Sequence, residues 1–170
     1  MKLSKLERAM VINQLEIRKA LTPTARDFDQ AIEILHSGYE IFYDEAIGHL
    51  FQPMSEDASN VVFEVLEMYR AIERFHDANP GDNAVAELHD AHFRGFDGNN
   101  EVTYMAFTRF LIKVQGKYQE QLKYEKDTDG FNSHWPMLST YLEYLSRWKE
   151  LGDARFKLTR EQVIAILSEK

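Results

Sequence analysis

Two stretches of this 170-residue chain repeat apolar side chains at alternating steps of three and four. Val61, Val65, Met68, Ile72 and Phe75 run 4, 3, 4, 3, and Tyr104, Phe107, Leu111, Val114 and Tyr118 run 3, 4, 3, 4. With 3.6 residues per turn, each set lines one helix face. The spacing predicts helices over 55–77 and 101–124, with Ser55 capping the first and Asn99 or Asn100 the second. In the second, Arg109, Lys113 and Lys117 recur every four residues nearly opposite the stripe, bordered by Val102, Ala106 and Phe110. A helix apolar over so much of its circumference has neighbours on several sides, so these two helices are expected at the centre.

The remaining segments read as helices too. Ser4 and Glu7 form a capping box opening a helix to Leu21, with Leu3, Leu6, Met10, Ile17 and Leu21 on one face. Asn13 and Gln14 interrupt that face, and a polar residue on a buried face needs a partner, from a neighbouring backbone or another subunit. Pro23 stops the helix. A second helix is predicted over 25–37, closed by Gly38. Tyr39 to Tyr43 has no partner strand and reads as a turn into a short helix over 44–51. Asn79-Pro80-Gly81-Asp82-Asn83 is the clearest loop. A weaker helix over 84–92 follows, then the turn Arg94-Gly95-Phe96-Asp97-Gly98. After a polar loop over 126–132, a helix with Pro136 in its first turn runs to Gly152 and turns Leu138, Tyr141, Leu142, Leu145 and Trp148 inward. Thr159 and Gln162 make a second capping box for a short terminal helix packing Val163, Ile164 and Leu167. The expectation is an all-α fold: one compact domain over 1–170, with six to eight helices and short loops.

Composition excludes several functions. With no cysteine there is no disulfide framework or thiol nucleophile, which suits a reducing cytoplasm. No apolar run is long enough for a membrane helix or a signal peptide. A net charge of −8 argues against a dedicated nucleic-acid binder. The charge is uneven, however: residues 1–26 carry six basic side chains and two acids, a net +4, leaving −12 elsewhere. Such asymmetry marks either a solvated face or one side of a docking contact.

No chemical motif is complete when its positions are matched residue by residue. His89 and His92 stand three apart, a spacing that can place two imidazoles together, but two ligands do not make a metal site. A calcium loop starting at Asp90 puts Gly95 and Glu101 correctly, yet His92 and Arg94 fall at ligand positions. One starting at Glu125 ends on Pro136, which cannot coordinate. GxSxG, GxGxxG and GxxxxGK[ST] are all missing, so no catalytic residue and no cofactor is implied. A helix-turn-helix reading fails because the would-be recognition helix carries Asp44 and Glu45 and no Lys or Arg.

Several segments resemble the YfbU family of bacterial helical proteins. The likeness is carried by VLEMYRAIE (65–73), FRGFDGNNE (93–101), YMAFTRFLIKVQGKY (104–118) and GFNSHWPMLSTYLEYL (130–145). Weaker echoes are Asn13-Gln14, Gly38-Tyr39 and the stretch from Leu158 to Leu167. The charged linker 119–127 is longer than the family pattern. The resemblance implies a compact helical domain that self-associates, and it carries over no catalytic residues.

The sequence therefore points to a cytoplasmic interaction or regulatory protein acting through self-association and an unidentified protein partner. Arg94, Asp97, Arg109, Lys113, Lys117 and His134 are the candidate residues for an anion or an acidic partner. The alternatives are a nucleic-acid-binding regulator using Arg18, Lys19 and Arg26, or an enzyme or small-ligand binder with a pocket near the 94–97 loop.

Overall fold

The computed structural model describes residues 2–22, 28–48 and 52–168. They are helical, with no β-strand among them and one isolated parallel bridge, between Phe96 and Asn132. Two units make up the chain, residues 1–53 and 54–170, and each closes around its own core.

In the first unit, α1 (Lys5–Leu21) begins at the expected capping box: Ser4 Oγ accepts the Glu7 amide at 3.3 Å, and Glu7 accepts the Ser4 amide at 2.7 Å. It packs on α2 (Phe28–Ser37), and a 3₁₀ turn (Glu40–Phe42) leads into α3 (Tyr43–Ile47). The core is Leu15, Phe28, Ala31, Ile34, Leu35, Tyr43 and Ala46. Arg8 reaches across and donates to the Leu35 carbonyl at 3.0 Å, one of the carbonyls left open at the C-terminus of α2. The predicted starts and ends at 23–27 and 49–51 lie outside the described residues.

The second unit is built on α4 (Glu56–Ala78), capped by Ser55, whose hydroxyl accepts the Ala58 amide at 3.2 Å. The stripe is buried at Val65, Met68, Ile72 and Phe75, and a second one, Val62, Leu66, Tyr69 and Glu73, is buried beside it. A helix buried on two faces is central, as its spacing requires. The predicted helix over 84–92 shrinks to the single turn α5 (Asn83–Ala86), and an irregular segment follows.

The predicted continuous helix over 101–124 is corrected by the structure. α6 (Val102–Arg109) passes into a π-helical turn (Phe110–Val114), and Gly116 then takes φ +67 and Tyr118 φ +53. Glycine supplies the left-handed step without steric cost, and the chain reverses. A 3₁₀ helix (Gln119–Tyr124) runs on from there. Tyr118 is buried, as the stripe predicts, but through this reversal: its hydroxyl donates to Glu67 on α4 at 3.0 Å. Val114, which the stripe turns inward, is exposed.

α7 (Leu138–Glu150) buries Tyr141, Tyr144, Leu145 and Trp148 and leaves Leu142 out. A 3₁₀ turn (Gly152–Phe156) precedes α8 (Arg160–Leu167), which opens at the Thr159–Gln162 capping box.

Candidate functional site

The loop from His89 to Glu101 is where the sequence places its candidate chemistry, and in the structure its polar groups brace one another. Gly95 sits at φ +91 against residue 131, so close that a Cβ there would lie 2.0 Å from the Phe131 carbonyl oxygen. That approach allows Phe96 to donate to the Phe131 carbonyl at 3.1 Å and Ser133 to donate back to Phe96 at 3.3 Å. Phe93, Phe96 and Phe131 are buried beneath it around Tyr141, whose hydroxyl donates to the Gly95 carbonyl at 3.0 Å.

The six candidate anion or partner residues divide among several jobs. Arg94 pairs with buried Asp90 at 3.0 Å, donates to the His89 carbonyl at 2.7 and 3.1 Å, and lies 5.4 Å from the centre of the Trp135 ring. Asp97 is buried and accepts the Asn99 amide at 3.0 Å and the Asn100 side chain. Those donors, the Asn99 amide first, hold its carboxyl below the usual range. Arg109 donates to the carbonyls of Gly130 and Asp129 at 2.5 and 3.3 Å, and His134 lies 3.5 Å from Asp129 on the same loop. Lys113 pairs with Glu125. Lys117, beyond the end of the helix, lies 5.4 Å from the centre of the Phe63 ring. The expected row Arg109–Lys113–Lys117 is thus no single face, because the helix that would have aligned it stops at Val114.

His89 and His92 face different carboxylates. Nδ1 of His89 lies 2.8 Å from Asp90, whereas Nδ1 of His92 lies 3.2 Å from Glu73. Among the described residues no three histidine or carboxylate side chains gather as a metal site. Glu73 is the hub that sequence reasoning missed. It is 1% exposed and also takes Lys123 at 2.6 Å and the Tyr124 hydroxyl at 3.1 Å. Burial alone would push its carboxyl up, but hydrogen bonds from His92 and Lys123 and the lysine charge outweigh that and hold it below the ordinary value. The signal was present: Val62, Leu66, Tyr69 and Glu73 step by 4, 3 and 4, which puts an acid on a buried stripe.

Among the described residues of the first unit, α1 carries an exposed apolar row, and Tyr39, Ile41 and Phe42 at the 3₁₀ turn are exposed as well. Leu6, Met10, Ile17 and Leu21 were expected to point inward, yet they are 71, 60, 54 and 76% exposed. The helix has two apolar faces, and the other one, with Leu15 at its centre and Val11 and Ile12 beside it, takes the core. Of the candidate nucleic-acid contacts, Lys19 pairs with Asp29 and Arg18 lies 5.7 Å from the centre of the Phe28 ring. Arg26 lies outside the described residues.

These features define an all-helical protein whose polar side chains brace its loops and whose first helix turns an apolar row outward. The chain belongs to the YfbU family: the YfbU domain matches residues 1–169. It is 42% identical to a UPF0304 protein of Methanocaldococcus jannaschii, over 98% of this chain and 99% of that protein. It is also 30% identical to a UPF0304 protein of Histophilus somni, over 88% of each chain. A third relative, from Mannheimia succiniciproducens, is 29% identical over the same shares.

Proposed function

We propose that this protein works by association, and that its first contact is α1 against α1 of a second copy. The observation that carries this is the exposed row Leu6, Met10, Ile17 and Leu21. Four large side chains exposed to that extent present on the order of 500 Å² of apolar surface, the size at which patches on monomers become functional. The row is also symmetric. Leu6 and Leu21, Met10 and Ile17, and Asn13 and Gln14 are each centred midway between residues 13 and 14. A two-fold axis there pairs each residue with its counterpart on an antiparallel copy and seats Asn13 against Gln14, where their amides can satisfy one another. A parallel pair would align the helix dipoles unfavourably.

We propose the cytoplasm as its compartment, which a cysteine-free chain suits. No described helix is long and apolar enough to cross a membrane. Light scattering behind size exclusion tests the reading with wild type and the Met10→Lys/Ile17→Glu double variant. The expected result is a wild-type dimer or larger assembly and a variant monomer with unchanged helicity. A wild-type monomer at tens of micromolar, or a variant of unchanged mass, overturns it.

A further inference from the structure

A cleft of about 330 Å³ opens in the second unit between α4, the end of α7 and the 3₁₀ turn Gly152–Phe156. Its lining is Phe63, Glu64 and Glu67 from α4, Trp148 from α7, and Arg155 and Phe156 from the turn. The volume falls within the range of small-molecule sites, and three aromatic side chains give it the apolar walls such sites use.

The charges around it settle what kind of molecule it suits. Glu64 is neutralised by Lys149 at 2.7 Å. Glu67 shares Arg70 with Glu120, at 3.1 and 2.7 Å, and accepts the Tyr118 hydroxyl at 3.0 Å. Both carboxylates are therefore already engaged by groups of the fold. Arg155 is in the opposite position. Among the described residues no carboxylate pairs with it, and its Nε is buried without a hydrogen-bond partner. Its guanidinium lies 5.0 Å from the centre of the Trp148 ring and 4.8 Å from that of Phe156. Trp148 holds the arginine backbone in turn, donating from its indole nitrogen to the Arg155 carbonyl at 2.8 Å. Lys117, also without a carboxylate among the described residues, stands over the face of Phe63. Among the lining residues the one charge without a counter-ion is therefore that of Arg155, carried on aromatic surfaces and fixed at one end.

We infer that this cleft binds a small carboxylic acid with an apolar body, its carboxylate on the Arg155 guanidinium and its body among Phe63, Trp148 and Phe156. A guanidinium offers paired N–H donors that match a carboxylate, and flanking rings keep water from competing. Lys117, outside the lining, adds a second, exposed positive charge 5.4 Å from the centre of the Phe63 ring. The proposal is independent of any pairing through α1, which lies in the other unit.

The test uses the full chain carrying Trp135→Phe, which leaves Trp148 as the single tryptophan and its emission as the reporter. Phenylacetate is titrated, with phenethylamine and benzyl alcohol as charge-reversed and neutral counterparts. The expected result is saturable binding of phenylacetate at millimolar concentration or below, with both counterparts weaker by about tenfold or more, the value of one charged hydrogen-bond pair. Arg155→Gln is expected to raise Kd about tenfold at an unchanged melting temperature. Equal or tighter binding of the amine or the alcohol, no saturation by phenylacetate, or an Arg155→Gln variant of unchanged Kd overturns the inference. If Arg155→Gln does not fold, Lys117→Glu decides, since that side chain is exposed. A weakening of about threefold or more supports the site, and an unchanged Kd overturns it.

Discussion

Glu101 receives the backbone amide of Leu138 at 2.7 Å, joining the start of α6 to the start of α7 across 37 residues of chain. Its other oxygen takes the Met137 amide at 3.1 Å and the Asp97 amide at 3.0 Å. Pro136 and Met137 bring no capping side chain to α7, so a carboxylate from elsewhere fills the role that Ser or Asp usually fills from the neighbouring residue.

Replacing Glu101 by alanine leaves two buried amides and one half-buried amide without an acceptor. The expected loss is about 2–4 kcal/mol of unfolding free energy, with Glu101→Gln falling in between. Urea denaturation followed by circular dichroism measures it, and a midpoint shift equal to that of an exposed Glu→Ala control refutes the brace.

Gly95→Ala meets two obstacles at once, a left-handed backbone and the Phe131 carbonyl oxygen 2.0 Å from the new Cβ. The contact is with backbone rather than with a side-chain tip, so the bridge to residue 132 must open. A loss of about 3 kcal/mol or more, or failure to fold, is expected. Gly81→Ala is the control: its φ is +97 and no atom lies within 4 Å of a Cβ, so it carries the conformational penalty alone.

Acid should expose the hub on α4. The Glu73 carboxyl is held below its ordinary 4.5 in the folded protein. Its contribution is therefore complete above that value and is lost as pH falls through the lowered folded pKa. Plotted from pH 6 down to 2, wild-type stability is expected to fall more steeply than that of Glu73→Gln. Parallel curves for the two proteins contradict the assignment.

Alkali acts on the other side of the same hub. Burial first, and the Glu73 charge with it, pushes the Tyr124 phenol up to about 12 from its ordinary 10.0. A group raised in this way stabilises the fold in full below the unfolded pKa and loses that contribution as pH climbs through the folded one. Ultraviolet titration of wild type against Tyr124→Phe is expected to show one phenol fewer ionising near pH 12. Loss of a phenol that titrates near pH 10 speaks against it.

The absence of cysteine makes the α1 pairing easy to probe with a single new thiol. Asn13→Cys is expected to form a disulfide dimer under mild oxidation, because the proposed axis passes beside that residue. Leu6→Cys alone is expected not to cross-link, since its counterpart across the axis is Leu21, but the mixture with Leu21→Cys should. Efficient cross-linking of Leu6→Cys with itself would instead indicate a parallel pair.

The helical class and the central place of α4 were legible because a 3.6-residue period leaves a trace in any helix that buries a face. The capping boxes at Ser4 and Thr159 were legible for a similarly local reason. The reversal at Gly116 was not: the apolar step from Val114 to Tyr118 continues the helical rhythm, and only tertiary contact of Tyr118 with Glu67 and Arg70 shows the break. Period alone does not say which of the two apolar faces of α1 meets the core, and it is the face of Leu15, not that of Leu6 and Met10, that does. Of the candidate charges, Arg94, Asp97, Arg109, Lys113 and His134 all have partners in the fold, because loops brought by the chain lie within their reach. Arg155 was overlooked because no motif surrounds it, and its setting depends on Trp148 and Phe156 converging from a helix and a turn.

The reversal at Tyr118 also changes how residues 119–127 should respond to a protease. Their composition is that of an exposed linker, and Lys123 and Lys126 invite trypsin. Yet Gln121 is fully buried, Glu120 pairs with Arg70 at 2.7 Å, and Lys123 and Tyr124 both hold Glu73. Trypsin can cut after Lys123 only once this strap lifts from the edge of α4. The rate of cleavage there would therefore follow the free energy of that local opening, making the most linker-like segment of the sequence a gauge of native-state dynamics.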